Sequence, residues 1–151
     1  MRKQCKRKVR ALVNPISMAI EGACITTEGA MDKLRLLELG AIDAFAKGMG
    51  SLQDVHTLCA MVNVCEQMAR DGIGPEALEA CGRADAGLIA MARRAEKTAK
   101  LGIDALTLIA FRDVFAYHDA QRQAIPRSEY EKQIRKATNR VKSGAPGVVA
   151  L

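Results

Sequence analysis

From residue 28 to residue 142, apolar side chains recur every three or four positions, the period of an α-helix with one buried face. The pattern predicts a first helix over about 28–47, with Ala30, Leu34, Leu37, Ala41, Ala44 and Phe45 as its buried stripe and Gly48 and Gly50 as its stop. Ser51 then opens a second helix, with Asp54 completing a capping-box variant. It runs to about residue 71, with Leu58, Met61, Cys65 and Met68 on one face and Val55, Cys59, Val62 and Ala69 beside them. After Gly72 to Pro75 a third helix, 76–100, keeps a seam of Leu78, Cys81, Leu88, Ala92, Ala95 and Ala99. Gly82 and Gly87 inside it predict a kink or the close approach of another backbone. Asp104 caps a fourth helix that Pro126 stops after residue 124. Ser128 and Glu131 read as an S-x-x-E box opening a last helix, with Tyr130, Ile134, Ala137 and Val141 on its inner side. Ahead of these, residues 16–23 put Ile16, Ala19, Ile20 and Ala23 on one face and predict two turns of helix.

The fourth helix draws most attention. Four of the five aromatic side chains, Phe111, Phe115, Tyr117 and Tyr130, fall between residues 103 and 130. Residues 103–111 are apolar around most of the helical circumference, and residues 117–123 are almost wholly polar. The expectation is a central helix that enters the core at its apolar end and leaves it at its polar end.

Composition agrees with helices. A chain of 151 residues, 49% hydrophobic, suffices for one domain with a core, and an aromatic content of only 3% suits close-packed helices better than sheets. The formal net charge of +6 is unevenly spread. Residues 1–10 carry +6 and residues 127–142 carry +4, which leaves the body between them at −4. Five cysteines without a C-x-x-C pair, three of them in apolar helical patterns, predict a reducing cytoplasm in which cysteine serves as a small hydrophobe. The apolar run after the basic start is broken by Asn14-Pro15 and Glu21, so neither a signal peptide nor a membrane span is expected.

Three kinds of chemistry have candidates. Arg112, Tyr117, His118 and Arg122 cluster at the polar end of the fourth helix, where arginines would grip the phosphate of a nucleotide-like anion and Tyr117 would stack on a base. The plainer reading is a solvated helix end whose charges pair locally. The arm Arg2, Lys3, Lys6, Arg7, Lys8 and Arg10 and the helical face Arg127, Lys132, Arg135, Lys136, Arg140 and Lys142 suit a polyanion through counterion release, or an acidic protein surface. Without interleaved aromatics, sequence-specific reading of nucleic acid is not expected. His56 and Cys59 lie one turn apart, but two ligands do not make a metal site, and neither metal nor cofactor is expected. The chain has no G-x-S-x-G elbow, phosphate-binding glycine loop or H-E-x-x-H, so an enzyme is not expected either.

The framing segments Arg7-Lys8-Val9-Arg10-Ala11-Leu12-Val13-Asn14-Pro15-Ile16, Tyr117-His118-Asp119, Arg122-Gln123 and Ser128-Glu129-Tyr130-Glu131 carry a resemblance. Over most of its length the chain resembles small uncharacterised helical proteins encoded in phages, prophages and mobile regions of proteobacteria. That resemblance implies a small regulator, or a protein that binds and blocks a host factor, and brings no activity, cofactor or catalytic residue with it.

Together these features predict a single-domain, all-α bundle of about five helices: a basic arm over 1–14, the bundle over 15–143 and a short tail over 144–151. The expected role is a cytoplasmic, non-enzymatic interaction or regulatory protein that binds a host or phage protein and can self-associate. A nucleic-acid-binding accessory protein and a binder of a small anionic ligand are the alternatives.

Overall fold

The computed structural model describes residues 28–145, which hold five α-helices and no strand. They are α1 (Glu28–Ala46), α2 (Leu52–Arg70), α3 (Ala77–Thr98), α4 (Ala105–Ala124) and α5 (Arg127–Lys142). The arm, residues 16–23 and the tail from residue 146 onward lie outside the described residues, and with them Arg2, Lys3, Lys6, Arg7, Lys8 and Arg10.

The ends of the helices follow from local chemistry. At α2, the Ser51 hydroxyl accepts from the Asp54 amide at 3.3 Å, and the Asp54 carboxylate accepts from the Ser51 amide at 2.8 Å. This reciprocal capping box satisfies two donors that a helix start would leave open. Asp104 caps α4 by accepting from the Thr107 amide at 2.8 Å. Gly48, at φ +70, takes the left-handed turn that ends α1. The last helix departs from expectation. It begins two residues early with Pro126 at its N-cap, so Ser128 stands inside the first turn instead of capping it. Proline supplies the φ of −62 that an entering chain needs.

α2 is the centre of the bundle. It packs against each of the other four helices, and every side chain from Met61 to Ala69 is buried. Around it Leu58, Met61, Cys65, Cys81, Leu88, Met91, Phe111 and Val114 form the main core. Val64, Met68, Ile125, Tyr130 and Ala137 form a smaller one beneath α5. Cys59, Cys65 and Cys81 are buried free thiols, as their spacing predicted. Burial, with the Asp85 charge adding to it, pushes Cys59 up to about 11, so it acts as a hydrophobe and not a nucleophile.

The prediction that 103–124 enters the core at its apolar end and leaves it at its polar end is corrected, because α4 keeps one buried face along its whole length, from Thr107 through Phe111 and Val114 to Arg122. Its apolar start leaves Leu106 79% and Ile109 51% exposed, whereas His118, Gln121 and Arg122 at its polar end are buried. Leu37, Leu78, Ala99 and Ile134, placed on buried seams by their spacing, are exposed. Within α3, Gly87 does meet a neighbour closely: a Cβ there would lie 2.9 Å from Thr107 Cβ and nearer still to its methyl and hydroxyl. Gly82 faces open space instead.

Candidate functional site

Glu38 is an acid on an apolar stripe, four residues after Leu34 and three before Ala41. That register carries it inward from α1, where it is 2% exposed. A carboxylate so placed needs partners, since burying a lone charge costs several kcal/mol or more. α4 supplies them. Arg122 Nη1 donates to Glu38 Oε2 at 2.8 Å, and His118 Nδ1 lies 3.2 Å from Glu38 Oε1. Arg122 Nη2 donates to Asp119 Oδ1 at 3.1 Å, and Arg35 Nε reaches the same oxygen at 3.1 Å. The guanidinium of Arg122 also sits 6.0 Å from the ring centroid of Phe115. α5 completes the group, with Tyr130 Oη 3.2 Å from His118 Nε2.

Two carboxylates and two guanidiniums balance, so the network is neutral when His118 is neutral. Burial lowers the His118 pKa, while the Glu38 carboxylate opposes that shift. The partners assign the tautomer: Nδ1 carries its proton toward Glu38, and Nε2 accepts from the Tyr130 hydroxyl. Burial pushes that hydroxyl up to about 12, although the Arg122 charge works against the rise. For Arg122, burial acts to lower the pKa, but Glu38 prevails and raises it. Each of these groups is engaged by another of the set, so their combined effect is a clasp that fixes α1 against α4 and α5.

The clasp forms the floor of a concavity of about 320 Å³ between α1, α2 and α5. Glu38 and Tyr130 reach it from below, with almost no surface of their own exposed. Its walls are Leu34 and Leu37 of α1, Gln53, His56, Thr57, Ala60, Met61 and Val64 along one face of α2, and Ile134 of α5. At the rim Leu37 is 56% and Ile134 36% exposed. Its volume is near the lower end of the ligand-pocket range, and its walls, built from three helices, are mainly apolar.

None of the four residues singled out on α4 lines either of the two concavities described among residues 28–145. Arg112 is exposed, Tyr117 is half-buried against the main core, and only His118 and Arg122 meet, inside the clasp. The basic face of α5 is largely compensated. Arg127 pairs with Glu131 at 3.1 Å, Lys132 with Glu129 at 3.3 Å, Lys136 with Asp71, and Arg140 with Glu66 at 2.9 Å. Arg135 and Lys142 make no ion pair among the described residues. Lys136 and Gln133 hold the Asp71 carboxyl below its usual range. Lys136 and Arg140 also edge a second, shallow polar hollow with Gln67, Asp71, Asn139 and Ser143. No group of three or more metal-ligating side chains is assembled among the described residues, and none of their helices is long and apolar enough to cross a membrane.

Sequence reasoning passed over Glu38, Leu37 as a rim residue, and Asp85. Burial, followed by the Glu66 charge, pushes Asp85 up to about 7. For Glu38 a signal was present in its position on the apolar stripe. Asp85 carries the same mark, four residues after Cys81 and three before Leu88 on the apolar seam of α3, whereas Leu37 carries none. No protein-family model, curated protein or solved structure matches the chain.

Proposed function

We propose that this protein is a non-enzymatic interaction module whose groove between α1, α2 and α5 receives the apolar face of an amphipathic helix from a partner protein. The observation that carries the reading is that Leu37 of α1 and Ile134 of α5, two bulky aliphatic side chains, are exposed while lining one apolar concavity. Exposed aliphatic residues scattered singly need no explanation, but two that line the same concavity mark a surface that association would bury. The clasp beneath supports it, because a rigid floor reduces the ordering cost of binding. A small regulator of the phage-encoded kind would act in this way. The polyanion reading is weaker, since four of the six bases on α5 are already paired with acids. The anion-pocket reading is weaker too, because Arg122 is committed to Glu38 and Asp119.

The test is a methyl-detected NMR titration of the full chain with a displayed library of short helices bearing aliphatic residues at i, i+3 or i+4, and i+7. Binders should shift the methyls of Leu34, Leu37, Val64 and Ile134, and Leu37→Lys with Ile134→Lys should abolish the shifts. Binding that moves only Leu106 and Ile109 on α4, or no binding at all, would overturn the proposal.

A further inference from the structure

The outer face of α1 has no cover among the described residues. α1 turns Glu38, Ala41, Ile42 and Phe45 inward, toward α2 and α4. On its other side Lys33, Leu36, Gly40, Asp43 and Lys47 are all exposed and recur every three or four residues, so they form one stripe. Leu36 is 69% exposed, the most of any leucine in α1, and Leu39 beside the stripe is 44% exposed. We infer that this stripe is the interface of a homodimer, in which α1 of one copy packs antiparallel on α1 of a second. The inference goes beyond the groove and does not rest on it.

The stripe is self-complementary in shape and in charge. A two-fold axis level with residue 38 relates two antiparallel helices so that position 36 faces position 40 and position 33 faces position 43. Leu36 of each copy then lies over Gly40 of the other. A Cβ at Gly40 would meet nothing within 4 Å, so no described contact within the chain requires glycine there, and glycine weakens a helix interior. Its missing side chain makes room for a leucine from outside. One turn further out, Lys33 faces Asp43 of the second copy, and the axis repeats the pair. Lys33 makes no ion pair among the described residues, and there the Asp43 carboxylate meets only the exposed Lys47, at 2.6 Å. A parallel pair would instead set Lys33 beside Lys33 and Asp43 beside Asp43, which repel. Leu39 flanks the contact on one side. Leu37 lies on the other and stays at the groove rim, so the two-fold opens both grooves on the same side of the dimer. A contact through one helix face is at the small end for a specific interface, which places the dissociation constant on the order of 10–100 μM.

The test is sedimentation equilibrium of the full chain from about 1 μM to about 1 mM. The mass should rise from 16.3 kDa toward twice that value. Leu36→Glu with Leu39→Glu, at two exposed positions, should keep the helical circular dichroism and hold the mass at that of one chain. Lys33→Glu should weaken dimerisation about tenfold, since the axis turns two attractive pairs into two repulsive ones. Adding Asp43→Lys to it should restore the original dissociation constant, a rescue that only the opposition of positions 33 and 43 can give. A single-chain mass at about 1 mM overturns the proposal and leaves the face to a different protein. A dimer that survives the leucine substitutions, or a charge swap without rescue, overturns it as well, because the contact then lies elsewhere. Leu37 is unchanged throughout, so helix binding at the groove is scored in the same variants and stands or falls separately.

Discussion

Removing the Glu38 charge tests whether the clasp holds the bundle together. Glu38→Gln keeps the shape of the side chain and deletes its charge, leaving Arg122, 1% exposed, with Asp119 as its remaining acid. Taking one partner from a buried ion pair costs about 3–5 kcal/mol, because the other charge stays desolvated. Asp119 is 15% exposed and shared with Arg35, so it offsets part of that loss and places the expected cost near the lower bound, about 3 kcal/mol. Against a total stability of about 5–15 kcal/mol this is a large fraction. With a urea dependence of about 2 kcal/mol per molar, the unfolding midpoint should fall by about 1.5 M.

The assay is urea unfolding followed by helical circular dichroism, for Glu38→Gln, and for Glu38→Leu, Arg122→Met and the pair Glu38→Leu with Arg122→Met. The double variant should cost less than the sum of its singles by about 2 kcal/mol, since it leaves neither charge stranded. Raising the salt concentration should leave the Glu38→Gln difference nearly unchanged, because a buried pair is poorly screened. A cost under about 1 kcal/mol for Glu38→Gln, or strict additivity of the singles, would refute the claim that these groups form one buried unit.

Gly87→Ala should destabilise by about 1–2 kcal/mol, the overpacking against Thr107 exceeding the gain in helix propensity, whereas Gly82→Ala, in open space, should stabilise by up to about 1 kcal/mol; thermal melts of the two variants decide it, and equal effects would contradict the close approach. Asp85→Asn should stabilise in a pH-dependent way. The folded Asp85 pKa is raised to about 7 from 3.8, so its favourable contribution is present below the unfolded value and is lost as pH rises through 7. Discounted for partial exposure, the gain of the variant should grow from none near pH 4 to about 1–2 kcal/mol at pH 8, and a gain independent of pH would point to a packing effect instead.

Periodicity revealed which stretches are helical and where most of them stop, because those properties are local: the Ser51–Asp54 box, the Asp104 cap and the left-handed Gly48 each act within four residues. It misjudged α4 because burial is a property of the neighbours. A helix apolar all round can be buried on any side, but the start of α4 has Leu106 and Ile109 turned away from the bundle. Its polar end lies among α1, α2 and α5, and can do so only because an acid 84 residues earlier in the chain neutralises Arg122. A window of a dozen residues cannot see that acid, so the same residues look like a solvated helix end. What the window does offer is the converse clue, Glu38 on an apolar stripe: a charge on the inner face of one helix calls for an opposite charge on the inner face of another. Seven of the chain's arginines lie outside the arm and before residue 127, each with an acid within one turn, yet Arg122 alone of them pairs with Glu38, because it projects from a helix face that also presents the imidazole and packs against α1. The groove inherits its position from that pairing, since the residues that flank Glu38, Leu34 and Leu37, become its wall once Glu38 is drawn inward.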